Sequence, residues 1–278
     1  MHASSDLPAR EQDLRSRLRG YGSVLVGFSG GVDSSYLAAS ALDALGPDRV
    51  LAVTGDSESY PEVQRAAARE VAALLGVQHL EVRTEELADP RYAANPSNRC
   101  YFCKSELWRR LADIAGHRGI AVVADGSNAD DARDYRPGFR AAAEYCIESP
   151  LLDAGLTKND IRVLSRARGL PTWDQPSAPC LSSRIPHGLA VTPARLRQIE
   201  RAEEGLRRAG FREFRVRHHG DAARIEVSPS EMELAVRLAR EIVIEVRCAG
   251  FERVLLDAVG YRQGSLNDGL VVLRAGTR

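Results

Sequence analysis

Short apolar or alternating runs are interleaved with amphipathic, helix-like segments through the first half of the chain. Four runs predict strands, at Val24–Phe28, Val50–Thr54, His79–Arg83 and Ile120–Ala124. The spacing of apolar residues predicts helices over residues 9–20, 36–42, 61–75 and 100–115. Strands that alternate with helices pair in parallel, because each helix carries the chain back across the sheet. The pattern therefore predicts an α/β fold with a doubly wound parallel sheet.

The pattern changes around Pro150. A helix is predicted from residue 157 to about 168, followed by a loop rich in proline and serine over 171–188. Beyond this loop the sequence predicts a helix over 192–209, strands over 214–217 and 224–227, a helix over 229–248 and a strand over 253–259. That order is typical of a small α+β domain. We expect two domains, over residues 1–178 and 179–278.

A glycine-rich corner joins the first predicted strand to the next helix. It consists of Ser29, Gly30, Gly31, Val32, Asp33, Ser34 and Ser35. Glycines let the backbone turn its N–H groups toward one point, and a helix N-terminus adds partial positive charge, so the corner predicts an anion site, most often for phosphate. It lacks the lysine of a Walker A loop and the glycine spacing of a dinucleotide-binding loop. The alternative is an ordinary glycine turn capped by Asp33 or Ser34.

Polar residues also follow two of the later strands. Asp56 follows the second predicted strand, and Asp125 and Gly126 follow the fourth. Ligands of parallel sheets bind at the carboxyl ends of the strands. We therefore expect these three residues to converge with the glycine-rich corner on one nucleotide-binding crevice.

Three of the five cysteines lie in segments that suggest chemistry. Cys100 and Cys103 form a Cys-x-x-Cys pair, and Cys180 lies in the loop rich in proline and serine. Three interpretations stay open. The pair could be redox-active or half of a zinc site, all three cysteines could hold an iron–sulfur cluster, or Cys180 could be a nucleophile activated by Arg184.

The remaining cysteines and a histidine pair predict no chemistry. Cys146 and Cys248 lie in apolar or helical segments, so we expect both to be buried. His218 and His219 are adjacent in a predicted strand, where neighbouring side chains point in opposite directions. We expect this pair at a surface or a turn rather than in a metal site.

Composition limits the function classes. The chain has 278 residues, 44% of them hydrophobic, which is enough for one large domain or two smaller ones. Lysine plus arginine and aspartate plus glutamate both number 38, and this zero net charge argues against a general nucleic-acid binder. Residues 1–20 lack the apolar core of a signal peptide, and no apolar run approaches the roughly 18 residues that span a bilayer. We expect a cytoplasmic protein with no membrane or nucleic-acid partner.

Several segments resemble known enzymes. The corner Ser29–Ser34 is similar to the pyrophosphate loop (PP-loop) of ATP pyrophosphatases, which bind the β,γ-phosphates of ATP, adenylate a substrate oxygen and release pyrophosphate. A longer set of segments resembles the LarE family, the ATP-dependent sulfur transferases that make the nickel-pincer nucleotide cofactor of lactate racemase. The segments are Ser29–Ser35, Arg99–Lys104, Asp125–Asp131, Ser149–Leu152, Pro176–Pro186, Arg215–Asp221 and Gly260–Asn267.

The LarE resemblance implies a two-part reaction. ATP adenylates a carboxylate of a pyridinium dicarboxylate mononucleotide, and a sulfur nucleophile then displaces AMP to leave a thiocarboxylate. Residues 1–178 would form the PP-loop domain, and residues 179–278 would bind substrate and take part in sulfur transfer. Asp33 and Cys180 would be the catalytic residues, with Asp33 also helping to hold Mg²⁺. The implied substrate-binding residues are Arg184, Glu203, Arg215, Arg217, Glu226 and Arg262, with Arg215 and Arg217 on the substrate phosphate.

The resemblance leaves two sulfur sources open. Some members lose the sulfur of the cysteine at the position of Cys180, whereas others carry three cysteines and hold a [4Fe-4S] cluster. The presence of Cys100 and Cys103 favours the cluster in this chain. The family also suggests a homo-oligomer and sulfide or another sulfur donor. The alternatives are a tRNA-thiolating PP-loop enzyme and an amide-forming synthetase of the NAD or GMP synthetase type.

Overall fold

The computed structural model describes residues 6–133, 137–176 and 178–262, with the side chain of residue 133 left out. The chain divides into two compact units, Met1–Cys180 and Leu181–Arg278. The sequence places the domain boundary after residue 178, and the structural division falls after Cys180. Residues 263–267, part of one segment that resembles the LarE family, lie outside the described residues. None of the helices that the structure describes is long and apolar enough to cross a membrane.

The first unit is built on a parallel sheet. Its strands are β1 (Val24–Gly27), β2 (Val50–Asp56), β3 (Gln78–Arg83) and β4 (Val122–Ala124), all parallel, in the order β3-β2-β1-β4. Its helices are α1 (Leu7–Tyr21), α2 (Val32–Leu45), α3 (Glu62–Leu75), α4 (Pro90–Ala93), α5 (Arg99–Arg118), α6 (Gly138–Glu144), α7 (Pro150–Asp153) and α8 (Lys158–Ala167). The sequence pattern misses the short helices α4, α6 and α7, because four to seven residues are too few to show a helical period.

The two faces of this sheet pack against different helices. Val24, Val26 and Ala52 belong to one apolar cluster with residues of α1, α2, α3 and α8. Leu25 and Leu51 belong to a second cluster with residues of α5 and α6. Successive side chains of a strand point to opposite faces, so β1 and β2 contribute to both clusters. The helices cover both faces of the sheet, which confirms the predicted α/β fold with a doubly wound parallel sheet.

The second unit has a small mixed sheet. Its strands are β5 (Phe214–His219), β6 (Ala222–Val227) and β7 (Arg253–Leu256), and its helices are α9 (Pro193–Arg208), α10 (Met232–Arg237) and α11 (Ala239–Cys248). β5 pairs antiparallel with β6, and β6 pairs parallel with β7. The prediction of a small α+β domain is confirmed.

The prediction of one helix over 229–248 is wrong. Pro229–Glu231 forms a 3₁₀ turn, and Leu238, with φ −96° and ψ 19°, separates α10 from α11. Hydrogen bonds continue through this junction, because Leu238 N–H donates to Leu234 and Ile242 N–H donates to Leu238. Neither glycine nor proline stands at the junction, so no local signal in the sequence marks it.

Candidate functional site

The glycine-rich corner has a backbone that brings it close to α3. Gly30 has φ +67°, in the left-handed region, and a Cβ on it would lie 2.5 Å from the Cα of Ala68. Gly31 is the N-cap residue of α2 and has no side chain with which to cap it. The first N–H groups of α2 are therefore left for an external anion.

The side chains of the corner do not cap α2 either. Ser34 Oγ accepts from Ser29 N–H at 3.2 Å and lies 3.3 Å from the Gly31 carbonyl, so it is used within the corner. Asp33 pairs instead with Lys158, at 2.6 Å between Oδ2 and Nζ. This arrangement favours the anion site over the alternative of a capped glycine turn.

Asp33 is a partly buried carboxylate with one oxygen still available. Its Oδ1 is buried and has no hydrogen-bond partner among the described residues. Burial raises the pKa of Asp33, and Lys158 opposes that rise. The negative charge of Asp131 raises the pKa of Asp33 further. An unpartnered carboxylate oxygen beside a second carboxylate suits Mg²⁺, which prefers oxygen ligands.

A cavity of about 610 Å³ lies at the carboxyl ends of the strands of the first unit. Pockets of this size hold ligands as large as a nucleotide. The cavity is lined by the corner through Ser34, by Asp125, Gly126, Ser127, Asp131 and Lys158, and by Glu86, Cys100, Cys103, Lys104, Trp108 and Cys180. The structure therefore brings the predicted phosphate loop and the three predicted cysteines to one cavity.

Asp125 and Gly126 shape the wall of this cavity. The carboxylate of Asp125 accepts from Ser127 N–H at 3.0 Å, from Ser127 Oγ at 2.8 Å and from Ser149 Oγ at 2.8 Å. A Cβ on Gly126 would lie 3.1 Å from the backbone nitrogen of Ser34, so this loop packs directly on the start of α2. Asp125 thus fixes the loop, and both residues reach the crevice.

Two of the predicted nucleotide-binding residues do not line the cavity. Asp56 pairs with Arg65 at the end of β2, and Ser57, the next residue, reaches the cavity instead. Ser35 is fully buried within α2. The predicted parallel sheet led us to expect Asp56 at the crevice with the ends of the other strands, but the pairing of Asp56 depends on α3, which carries Arg65.

The three cysteines of the cavity differ in exposure. Cys100 is exposed in the first turn of α5, whereas Cys103 and Cys180 are partly buried. Burial raises the pKa of the Cys103 thiol well above its usual range, and the charge of Glu86 raises it further. Within the described ranges, no group of three or more His, Cys, Asp or Glu side chains is placed to hold a metal ion.

The expectations for the other cysteines and for one histidine are wrong. Cys146 and Cys248 are exposed rather than buried. Cys146 has φ +52° in the turn after α6, and Cys248 is the last residue of α11, so neither faces an apolar cluster. His218 is buried, and its Nε2 donates to Gln198 Oε1 at 3.0 Å. Burial lowers the pKa of His218 to about 4.

Sequence reasoning missed two lysines of the cavity. Lys158 is the first residue of α8, and its partner Asp33 lies 125 positions earlier. Lys104 places Nζ 4.6 Å from the centre of the Trp108 ring, which holds a positive charge at the cavity wall. Two local features of the sequence could have identified these lysines. Lys158 begins a helix with a capping box, and Lys104 lies one turn after Cys100.

The predicted substrate-binding residues of the second unit form buried ion pairs. Arg184 donates to Glu203 through two nitrogens, at 2.8 and 3.1 Å, and Arg217 donates to Glu226 at 2.9 Å. These four residues are at most 5% exposed. Their charges are therefore held away from water. In the protein interior an unpaired charge is costly, so these charges are held as pairs.

Arg215 and Arg262 occupy different environments in the same unit. Arg215 is 8% exposed and stacks on the ring of Tyr261, with 4.7 Å between the guanidinium and the ring centre. Burial, followed by repulsion from Arg184, lowers the pKa of Arg215. Arg262 is exposed. The structure brings Arg184, Glu203, Arg215, Arg217 and Glu226 together on α9, β5, β6 and the 3₁₀ turn before them.

The parallel sheet, the glycine-rich corner and the open start of α2 define an α/β domain with an anion-binding site at the carboxyl ends of its strands. Residues 9–98 match the NAD synthase family. Along its whole length the chain is 34% identical to the pyridinium-3,5-bisthiocarboxylic acid mononucleotide synthase of Lactiplantibacillus plantarum, over 98% of both chains. It is also 42% identical to an uncharacterised protein of Synechocystis, over 94% of this chain and 98% of that protein.

The chain belongs to the family of the Lactiplantibacillus synthase, and the predicted LarE family is thereby confirmed. More distant similarity is restricted to part of the chain. An argininosuccinate synthase of Halobacterium salinarum is 29% identical over 54% of this chain and 40% of its own length. Since the full-length relative is a named synthase, the prediction of an enzyme is confirmed as well.

Proposed function

We propose that this protein is an ATP-dependent sulfur transferase acting on pyridinium biscarboxylic acid mononucleotide. It adenylates a substrate carboxylate and replaces the activated oxygen with sulfur, for synthesis of the nickel-pincer cofactor of lactate racemase. The observation that carries the proposal is the cavity of the first unit, which joins an anion-binding corner to three cysteines. The name of the full-length relative from Lactiplantibacillus supports the substrate.

The glycine-rich corner and the residues around it would bind ATP and Mg²⁺. The N–H groups at the start of α2 would bind the β,γ-phosphates, and Lys158 would shift from Asp33 to a phosphate oxygen. Asp33 Oδ1, with Asp131 beside it, would hold Mg²⁺. Mg²⁺ bound there offsets the negative charges of the triphosphate and the attacking carboxylate.

Residues of α5 and of the cavity wall would carry out the sulfur transfer. A carboxylate is a poor electrophile, because oxide is a poor leaving group, whereas AMP leaves readily. Cys180 lines the same cavity as the phosphate loop and is the proposed sulfur-transfer residue. Lys104, held over Trp108, would attract the substrate carboxylate and the negative charge that develops when sulfur attacks.

The buried arginines of the second unit support binding of the substrate phosphate. Arg184, Arg215 and Arg217 carry three positive charges, against two on Glu203 and Glu226. A surplus positive charge in a buried cluster favours an anion, and the guanidinium fork matches phosphate. Arg262 is proposed to join them at the exposed side.

We further propose that Cys100, Cys103 and Cys180 hold a [4Fe-4S] cluster that accepts sulfide. Thiolates are the ligands such clusters take, and all three cysteines line one cavity. When bound, the cluster would present an iron that has no cysteine ligand to the incoming sulfur. If no cluster forms, Cys180 itself is the sulfur donor. We also propose that the enzyme is cytoplasmic and homo-oligomeric, and that it binds neither membranes nor nucleic acid.

The function is tested by following both halves of the reaction in protein purified without oxygen. Wild type should release pyrophosphate from ATP and Mg²⁺ with the mononucleotide, and mass spectrometry should find the thiocarboxylate. Cys180→Ala should still release pyrophosphate but form no thiocarboxylate, whereas Asp33→Ala should lose both. Cys248→Ala, at an exposed cysteine outside the cavity, is the matched control and should behave as wild type. Thiocarboxylate formation by Cys180→Ala would contradict the assignment.

The sulfur source is decided by iron and labile sulfide content and a visible spectrum. About four irons per chain are expected for a single such cluster, and Cys100→Ala should lose them. A colourless wild type whose Cys180 is short of one sulfur atom after turnover would instead establish Cys180 as the donor.

A further inference from the structure

Two hydroxyl groups from outside the glycine-rich corner hold successive carbonyl groups at its start. Thr54 belongs to β2, and its Oγ1 donates to the carbonyl of Phe28 at 2.7 Å. Tyr60 lies between β2 and α3, and its hydroxyl donates to the carbonyl of Ser29 at 2.7 Å. All four residues line the cavity of the first unit. The proposed reaction gives neither hydroxyl a role.

Thr54 is itself held in place by His79 of β3. The Nε2 atom of His79 lies 2.8 Å from Thr54 Oγ1. A hydroxyl group has one hydrogen to donate, and Thr54 donates it to Phe28, so His79 Nε2 carries a hydrogen and donates to Thr54. The rings of His79 and Phe28 also meet edge to face, with 5.7 Å between their centres. Thr54 is only 1% exposed, so these hydrogen bonds are shielded from water and are stronger for it.

A carbonyl that is held in place also fixes the N–H group that follows it. A trans peptide is planar, and its C=O and N–H point in opposite directions. Thr54 therefore fixes the direction of Ser29 N–H, and Tyr60 fixes that of Gly30 N–H. Two glycines in a row have the most mobile backbone that a chain can have. Anchors on the residues just before them consequently have a large effect on the shape of the corner.

We propose that Thr54 and Tyr60 are positioning residues of the anion site, and that His79 acts through Thr54. They keep the corner in the shape that receives phosphate before a ligand arrives, so binding does not have to order the glycines. The inference rests on the proposed function, in which the corner binds the β,γ-phosphates of ATP. It adds to that site three residues that lie outside the glycine-rich motif.

The test uses substitutions that remove one hydroxyl group each from the full-length protein. Tyr60→Phe removes only the hydroxyl oxygen, and Thr54→Val replaces the hydroxyl group with a methyl group of similar size. Thr54→Ser keeps the hydroxyl group. Calorimetry with inorganic pyrophosphate and Mg²⁺ gives the Kd of the corner without any turnover. Pyrophosphate release from ATP in the presence of the mononucleotide gives KM and kcat.

Tyr60→Phe and Thr54→Val should each raise the Kd for pyrophosphate and the KM for ATP about five- to tenfold, as expected for the loss of one hydrogen bond. Because the phosphates are held in the same way before and during the reaction, kcat should change by less than about twofold. Thr54→Ser should bind as wild type does. His79→Leu should weaken binding, and His79→Gln, whose amide can donate to Thr54, should recover part of the affinity.

Two matched controls remove a hydroxyl group elsewhere in the first unit. The hydroxyl of Tyr36 donates to Glu11 at 3.2 Å, and Thr172 Oγ1 is buried with no hydrogen-bond partner in the described parts of the chain. Neither residue lines the cavity. Tyr36→Phe should lose stability but no affinity for pyrophosphate, and Thr172→Val should bind as wild type does. These controls separate positioning of the corner from a general loss of stability.

The possible outcomes distinguish this inference from the proposed function. If Tyr60→Phe and Thr54→Val are folded by circular dichroism and bind pyrophosphate as wild type does, the inference is wrong and the proposed function stands. An equal loss of affinity in Tyr36→Phe would also overturn the inference. A wild type that binds neither pyrophosphate nor ATP would instead remove the proposed function. If Thr54→Val does not fold, Tyr60→Phe decides the inference, because it introduces no new group.

Discussion

Gly30 is the residue on which the close approach of the phosphate corner to α3 depends. Two constraints act at once: its φ of +67° strains any residue with a side chain, and a Cβ would overlap the backbone of Ala68. Strain alone occurs elsewhere in the chain. Gly22 has φ +73°, and a Cβ there would meet nothing within 4 Å.

We expect Gly30→Ala to cost about 2–5 kcal/mol of unfolding free energy, because left-handed strain and overlap add. Gly22→Ala, the control, should cost only about 1–2 kcal/mol, from strain alone. Urea unfolding measures both. Pyrophosphate release should disappear in Gly30→Ala and persist in Gly22→Ala. Equal destabilisation of the two variants would contradict the close approach at Ala68.

The burial of the Asp33 carboxylate in the site lowers the stability of the folded protein at neutral pH. Burial raises its pKa despite Lys158, so the folded protein disfavours the charged form that the unfolded chain accepts. The contribution of Asp33 to stability is therefore most favourable at low pH. It is lost as the pH rises through the raised pKa of the folded state.

Asp33→Asn should consequently have a higher Tm than wild type at pH 7, and this gain should fade as the pH falls toward the ordinary pKa of aspartate. Lys158→Met should do the reverse and lower Tm at pH 7, because it removes the charge that offsets Asp33. Thermal unfolding between pH 4 and pH 7 measures both. A lower Tm for Asp33→Asn throughout this range would show that the pair is net stabilising.

At the level of elements, the start of α8 positions Lys158. Thr157 Oγ1 accepts from Asp160 N–H at 3.2 Å, and Asp160 accepts from Thr157 N–H at 3.0 Å, which completes a capping box. Arg10 of α1 also donates to Asp160, at 2.8 Å. The helix that carries Lys158 is thus fixed at its first turn, next to the cavity.

Thr157→Ala should cost about 1 kcal/mol of stability through the lost cap. It should also raise the KM for ATP severalfold, because Lys158 loses its fixed position. Thr192→Ala removes the cap of α9 in the second unit, where Thr192 accepts from Arg195 N–H at 3.3 Å. This control should lose similar stability with no change in KM. An unchanged KM in Thr157→Ala would separate the cap from ATP binding.

At the scale of the whole molecule, the two units contain charge in different settings. In the first unit Asp33 faces a cavity, whereas in the second unit Glu203 is 1% exposed and is held by Arg184 and Arg207. Burial acts to raise the pKa of Glu203, but attraction and hydrogen bonds from Arg184 outweigh it, so the pKa is lowered. This contribution to stability is present above the ordinary pKa of glutamate and is lost as the pH falls through the lowered value.

Glu203→Ala should cost about 3–5 kcal/mol at pH 7, because it leaves the buried Arg184 without its carboxylate. Glu203→Gln should be less stable than wild type at pH 7, and its stability should fall less steeply below pH 5. Asp221→Ala, which breaks an exposed pair with Arg253, is the control and should behave as wild type. Denaturant unfolding across pH tests all three. A Glu203→Gln curve parallel to wild type would contradict the linkage.

The fold and the corner could be predicted because both are encoded locally. The alternation of Val24 to Phe28 with the helix that follows, and two glycines in a row, need only neighbouring residues to be recognised. The junction at Leu238 and the partner of Asp56 could not be predicted, because packing with other elements decides them. The predicted burial of Cys146 and Cys248 was wrong for the same reason: the sequence does not show which side chains of a turn or a helix end the packing covers.

The amino-acid sequence alone determined the α/β sheet with its smaller α+β partner, the phosphate corner, the cysteine set and the family. These features depend on periodicity, turn chemistry and motif spacing, which are properties of short segments. Only the tertiary structure decided that Lys158 meets Asp33 across 125 positions and that the buried Glu86 lines the same cavity as Cys103. Such contacts depend on how helices and loops pack on the sheet, and the removal of charges from water acts only once that packing is complete.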